Sequence, residues 1–399
     1  MKNIEGIKDC FGCGVCATVC NRNAISIKLN EKGFYTPMLD TRKCTNCGLC
    51  SEVCAFKHDN LALEKHIQYS YGAWSNKSNV RRRCSSGGVG YELGLYLLAE
   101  GYKVCVVRYN TEQQRAEHYI ATNEEELMPS IGSKYIQSYT VDGFKAINRK
   151  EKYLVTGTPC QIDSFRRYIR KFKAEDNFVL MDFFCHSVPS MLVWKKYLQY
   201  IEKKIGPVVY ASWRNKFTGW HDSWTMAIDG INDGKKVDWH DSYNVKIIEK
   251  KHTYNSRLSE GDLFYKLFLG DYCCNPACQK NCKYKYDQSS ADIRIGDFWG
   301  KTYAKDEDGV SAVVAFTEKG YEILRSLNCT LVEHPFETVA EGQMKKNAGK
   351  AFTSKLVLKA LKDKDSTEDT FRVLIRLETV LRLPQKIVNK IHRILWKRK

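Results

Sequence analysis

The sequence predicts an α+β protein in three parts: a small cysteine-rich module, a larger mixed α/β domain and a basic helical tail. Three observations carry this prediction. Eight of the 17 cysteines fall in two identical runs, Cys10-x2-Cys13-x2-Cys16-x3-Cys20 and Cys44-x2-Cys47-x2-Cys50-x3-Cys54. Beyond them, glycine-rich turns alternate with helix-like and strand-like segments. The last thirty residues combine helical apolar spacing with an excess of Lys and Arg. The chain has 399 residues, 43% of them hydrophobic, so it can bury a large core and fits two or three domains. The parts are placed at 1–65, at 75–340 (an N-terminal portion 75–150 and a C-terminal portion 151–340) and at 341–399.

The two cysteine runs have the ligand spacing of a bacterial-type ferredoxin with two [4Fe-4S] clusters, in which the fourth cysteine of each run serves the other cluster. On that rule Cys10, Cys13, Cys16 and Cys54 form one ligand set, and Cys20, Cys44, Cys47 and Cys50 the second. A zinc site would use four ligands in all, and a disulfide framework would want a secreted chain, so the cluster reading is preferred. Proline usually follows the fourth cysteine; here Asn21 and Ala55 stand there, which predicts altered loop rigidity with the ligands retained. Gly12, Gly14 and Gly48 let the loop backbone approach the sulfurs.

Neither a signal peptide nor an apolar run of spanning length is seen, which points to a reducing cytoplasm. The formal net charge of +17 is compatible with nucleic acid, an acidic protein or an anionic membrane. Its distribution decides, since residues 371–399 hold nine Lys or Arg against the single acid Glu378. Apolar residues there recur at helical spacing on both sides of Pro384, which predicts two amphipathic helices. Such a segment either lies on anionic lipid, peripheral at the inner face of the membrane, or packs on its own domain. No nucleic-acid motif accompanies the charge.

Residues 64–80 read as a connecting segment. Ser85-Ser86-Gly87-Gly88 then leads into a helix over 91–100 and a strand over 103–109; backbone N–H groups at such a turn can receive a phosphate, or the turn simply caps the helix. A second pass runs from the strand 153–155 through Thr156-Gly157-Thr158-Pro159-Cys160-Gln161 into a helix over 162–172. A third runs from 178–184 through Cys185-His186-Ser187 into a helix over 191–203. Both cysteines thus sit where strands end and helices begin, the edge at which ligands collect in open α/β sheets. Residues 211–228 read as antiparallel strands and 246–269 as largely helical.

A second cysteine group, Cys273, Cys274, Cys278 and Cys282, offers Cys278 and Cys282 as a local pair. Together with Cys160 and Cys185 it gives a third [4Fe-4S] ligand set, preferred over zinc, a redox thiol pair or plain packing. Cys84, Cys105 and Cys329 have no partners at ligand spacing and read as packing residues.

Five motifs, Gly132-Ser133-Lys134-Tyr135-Ile136-Gln137-Ser138, Thr156 to Gln161, Phe184 to Ser190, Arg214 to Trp220 and Ile295 to Gly300, resemble the coenzyme F420 hydrogenase/dehydrogenase beta subunit family over roughly 75–340. The resemblance implies an iron-sulfur flavoprotein oxidoreductase that binds FAD and passes electrons from a ferredoxin or other redox protein to a small organic acceptor. It also implies a context in surface-polysaccharide biosynthesis. Non-enzymatic relay between proteins, or a membrane-associated scaffold, is the alternative. It places Ser85, Ser86, Gly87, Gly88, Gly132, Ser133, Lys134, Tyr135, Thr156, Gly157 and Thr158 around the flavin, with Lys134 at its pyrimidine end and His186 as a proton donor or, in the stronger reading, a loop-ordering residue. The Cys278-x3-Cys282 spacing is one residue longer than in many relatives, which makes Cys274 the alternative to Cys185. His221, Asp222 and the run Arg81-Arg82-Arg83 are further candidates, for acid catalysis and for docking an acidic donor respectively.

Overall fold

The computed structural model describes residues 3–64, 67, 69–231, 253–343 and 345–384. The cysteine module carries a hairpin, β1 (Ile25–Leu29) and β2 (Tyr35–Leu39), paired antiparallel. The main body is a sheet of nine strands: β3 (Tyr69–Ser75), β4 (Lys103–Asn110), β5 (Arg115–Ala121), β6 (Ser138–Tyr139), β7 (Tyr153–Thr156), β8 (Phe178–Phe183), β12 (Ile293–Asp297), β13 (Ser311–Ala315) and β14 (Cys329–Glu333). Their spatial order is β14-β3-β13-β12-β8-β7-β4-β5-β6. β9 (Val208–Ser212), β10 (Thr225–Gly230) and β11 (Tyr254–Arg257) form a separate antiparallel sheet.

At the centre of the large sheet, β4, β7, β8 and β12 run parallel. Parallel strands covered on both faces are apolar nearly throughout, and β8 has five consecutive buried residues. The helices Val89–Ala99, Pro159–Lys171 and Met191–Ile205 start and stop where local chemistry says they should. Ser190 caps the last of these by accepting from Leu192 N–H at 3.1 Å, and Gly206, at φ 78°, ends it. Its Trp194, Leu198, Ile201 and Ile205 recur at helical spacing and are buried in a core shared with the small sheet.

Two segments differ from the sequence expectation. The supposed connector over 64–80 contains β3, which lies between β13 and β14; it was missed because its partners lie more than 230 residues away. Within 246–269, β11 occupies Tyr254–Arg257 and helix only Leu263–Leu269, while 246–252 lie outside the described residues. The antiparallel pairing expected over 211–228 is present as β9 and β10, separated by an irregular stretch that buries Trp213 and Trp220. Of the two tail helices, the first is Glu368–Leu381; the second falls outside the described residues.

The cysteine module is seated on the main body through its own loops. Gln137 donates to Phe11 O and accepts from Tyr35 N–H, both at 3.1 Å, and Thr140 Oγ1 donates to Cys13 O at 2.9 Å. This approach is why position 14 is glycine. At φ 75° a Cβ there would also lie 2.1 Å from Thr140 Oγ1. Gly14→Val is expected to lower stability by about 2–4 kcal/mol, the left-handed penalty plus overpacking. Gly6→Ala, at φ 73° with nothing within 4 Å, should cost only about 1 kcal/mol in the same thermal melts.

His118 on β5 is fully buried, donates from Nε2 to Thr156 O at 2.9 Å, and has its pKa pulled down to about 4 by burial. An unfolded histidine takes its proton near 6.5. Its contribution to stability is therefore complete above that pH and is lost as pH falls toward 4. The expected loss by pH 5 is about 2 kcal/mol. The fall in melting temperature between pH 7 and pH 5 should shrink correspondingly in His118→Leu.

Candidate functional site

The two cysteine loops are built alike. Gly14 and Gly48, at φ 75° and 86°, open four-residue helices that carry Cys16 and Cys50. Backbone N–H groups point at sulfur in both, from Gly12 to Cys10 Sγ at 3.3 Å and from Asn46 to Cys44 Sγ at 3.4 Å. Ala24 N–H does the same for Cys20 at 3.4 Å. None of the 17 cysteines is in a disulfide.

Their electrostatics sort them. Burial, followed by repulsion from Cys13 and Cys54, pushes the Cys10 thiol up to about 12. Burial and Cys54 push Cys13 up to about 11. Cys16, buried, feels Cys13, Cys54 and Cys10 before Cys50. Cys50 is raised by burial, then by Cys47 and Cys20. Thiols that are buried together and repel as thiolates are stabilised when iron supplies the positive charge, so the donor sets fit [4Fe-4S] clusters in the crossed grouping.

The third set forms at the carboxyl edge of the parallel strands. Cys160 opens the helix after β7, Cys185 follows β8, Cys278 lies on the short helix Pro276–Lys280 and Cys282 just beyond it. All four line one cavity of about 370 Å³. Burial raises Cys160, with Cys278 and Cys185 next in effect. Cys278 is pushed up to about 12 by burial, then Cys185 and Cys282. Cys274 turns elsewhere: its Sγ donates to Asp271 Oδ1 at 3.5 Å and accepts from Ser187 at 2.9 Å. Cys185 lines the cavity with the other three and Cys274 does not, while Cys278 acts on both. Cys273 is buried in the core around Trp194, and Cys105 is fully buried. Cys84 lies in the cavity wall.

Between the first set and the third, Phe11 and Tyr284 pack edge to face, 5.8 Å between centroids, in an apolar cluster with Cys160 and Cys282 at its border. Among the thiolates repelling Cys160 is Cys13 of the first set.

The same cavity is lined by Ser85, Ser86, Gly88, Gly132, Ser133, Lys134, Tyr135, Thr156, Gly157 and Thr158. Gly87 is not in its wall; a Cβ there would strike Ala73 O at 2.2 Å, so it serves packing against β3. Gly88, at φ 87°, opens the helix Val89–Ala99 with no side-chain cap, which leaves backbone N–H groups at the cavity for an anion. A volume of this size with mostly apolar walls and a few polar groups suits an organic ligand or cofactor.

Lys134 lines the cavity with its ammonium turned toward its own loop. Its ammonium donates to the carbonyls of Pro129, Ser130 and Ile131 at 3.1, 2.8 and 3.0 Å, which uses all three of its N–H groups. It shapes the loop instead of presenting a charge to a ligand, and burial pulls its pKa down to about 7. Two lysines without an assigned role act similarly. Lys216 donates to Arg81 O, Ser86 O and Asp308 O, and Lys285 to the carbonyls of Cys185 and His186. Arg214, fully buried, binds Asp297 through two nitrogens at 2.8 and 3.0 Å, donates to Tyr135 OH, and lies over the rings of Trp224 and Trp299. The Arg214 and Asp297 motifs marked the family; their pairing was not legible in either.

His186 Nε2 bonds Asp271 Oδ1 at 2.8 Å at the cavity wall. His221 and Asp222 are not in the wall: His221 meets Tyr303 O and Asp222 pairs with Arg257 at 2.7 Å. Arg81 is a structural staple, bonded to Asp306 at 2.6 Å and to Gly309 O, and not a free docking charge.

Paired thiolate loops on a ferredoxin-like module, leading to a third thiolate set at a cofactor-sized cavity, define an iron-sulfur electron-transfer protein. The chain belongs to the coenzyme F420 hydrogenase/dehydrogenase beta subunit family: residues 70–144 match the model of its N-terminus and 150–334 that of its C-terminus. Residues 9–58 match a 4Fe-4S dicluster domain. Among solved structures, a chain of the F420-reducing [NiFe] hydrogenase complex from Methanosarcina barkeri is 18% identical over 84% of this chain and 94% of that one, with a TM-score of 0.42. No curated protein matches. Among the described residues, no helix is long and apolar enough to cross a membrane.

Proposed function

We propose that this protein is an iron-sulfur flavoprotein oxidoreductase, with two clusters in the N-terminal module, a third on Cys160, Cys185, Cys278 and Cys282, and FAD in the adjoining cavity. The observation that carries the reading is the convergence of those four cysteines on the cavity that the uncapped helix at Gly88 also faces. When bound, FAD supplies the exchange between single electrons and a two-electron reduction of an organic acceptor. The chain's own residues hold the walls: Lys134, Lys216 and Lys285 fix the loops, while Phe268, Trp224 and Trp299 keep water from the site. His186, held by Asp271, orders the loop that bears Cys185.

The electron donor we propose is an acidic carrier such as a ferredoxin. Of the eight module cysteines only Cys47 is exposed, and the exposed Arg42 and Lys43 near it share the single partner Asp40, at 3.4 and 3.9 Å, which leaves a net positive charge there. Arg42→Glu/Lys43→Glu is expected to weaken binding of an oxidised acidic ferredoxin about tenfold at low salt, with the difference closing as salt rises. The direct test is iron, acid-labile sulfide and released flavin per chain after anaerobic reconstitution. About twelve irons and one FAD support the reading. About eight irons and no flavin would overturn it.

A further inference from the structure

Seven of the fourteen well-exposed large apolar side chains among the described residues lie between 352 and 383: Phe352, Leu356, Val373, Leu377, Val380, Leu381 and Leu383. Their arrangement is ordered. On the helix Glu368–Leu381, Phe371, Leu374 and Ile375 pack against the core, while Val373, Leu377, Val380 and Leu381, at i, i+4, i+7 and i+8, extend the apolar arc beyond that packed face. Val373 and Val380 are 60% and 59% exposed. The apolar arc of the helix is therefore wider than the part that packs on the core among the described residues.

Phe352 and Leu356, both exposed, lie on the neighbouring segment that Glu378 ties to this helix. Glu378, itself buried, accepts from Thr353 N–H at 2.9 Å and Thr353 Oγ1 at 3.0 Å, and pairs with Arg382 at 2.6 Å. That carboxylate ties the start of the helix Ser354–Lys362 beside the last turns of Glu368–Leu381. Phe352 is 59% exposed at this junction.

The charge around the patch is of one sign toward its C-terminal end. Arg376, Lys355 and Lys359 are exposed, Arg372 is exposed and paired with Glu368 and Asp369, and the sequence that follows Pro384 carries Lys386, Lys390, Arg393, Lys397, Arg398 and Lys399 with no acid. A protein partner of ordinary composition does not require so many cations beside a convex apolar ridge; an anionic lipid surface matches both at once. Apolar side chains enter the acyl boundary, and each nearby cation adds about 1 kcal/mol of attraction to the headgroups.

We infer that the face built from Phe352, Leu356, Leu377, Val380 and Leu381 is a docking surface for an anionic bilayer, seating the protein peripherally on the membrane. This goes beyond the redox reading and does not depend on it. The test is co-sedimentation of the full chain with phosphatidylglycerol-containing vesicles against pure phosphatidylcholine vesicles, at low and high salt. Wild type is expected in the pellet with the anionic vesicles only, and to be released as salt rises. Leu377→Asp/Val380→Asp should lower the partition coefficient at least tenfold with iron content and melting temperature unchanged. Wild type remaining in the supernatant with anionic vesicles at low salt would overturn the inference. So would a Leu377→Asp/Val380→Asp protein that binds as wild type does, or one that melts well below it, since the face would then be covered by the chain itself.

Discussion

Cys160→Ser is expected to lose about four irons per chain, leaving the clusters of the N-terminal module in place. Cys160 is held rigidly: Pro159 opens its helix, and the Thr158 hydroxyl lies 3.2 Å from its sulfur. Its sulfur is buried among Cys278 and Cys185, so no neighbouring thiol is placed to take over. The N-terminal iron should still bleach with dithionite, while reduction of bound flavin by a protein donor should fall below detection. Cys274→Ser is the informative comparison. Cys274 faces Asp271 and Ser187, so its iron content should remain that of wild type. Equal iron loss in the two variants would return Cys274 to the ligand set.

Arg294→Met is expected to destabilise the protein by about 3–5 kcal/mol, the cost of breaking one half of a buried ion pair. Arg294 and Asp182 are both fully buried on the adjacent parallel strands β12 and β8, joined at 2.7 and 2.8 Å. Without the guanidinium, the carboxylate keeps only Ser289 Oγ, at 2.7 Å. Arg294 also donates to Tyr286 O and Gln288 O, which anchors the segment between Cys282 and β12. A lowered melting temperature should therefore come with weakened retention of the third cluster's iron during anaerobic gel filtration. Asp182→Leu/Arg294→Met, which removes both charges, should recover much of the stability, because neither ion is then left unpaired.

Spacing was informative where ligands sit on one loop. The two four-cysteine runs specified their own geometry, since the repeated glycines and the sulfur-directed N–H groups follow from a few consecutive residues. The passes around Thr156 and Cys185 were legible for the same reason: a short apolar strand, a turn and a capped helix are local signals. That the three protons of Lys134 meet carbonyls of the preceding turn was not visible in the sequence. The roles of Lys216, Lys285 and Arg214 were not visible, because each acts on residues 79 or more positions away.

The sequence by itself determined the thiolate loops, the existence of parallel strand-to-helix passes and the basic amphipathic tail, since each is written in residues a few positions apart. Only the tertiary structure decided that β3 enters the main sheet, that Cys185 and not Cys274 lines the cavity beside Cys160, and that the tail helix buries only part of its apolar arc. Those outcomes depend on which distant surfaces close on one another, and burial, unlike spacing, is a property of the assembled chain.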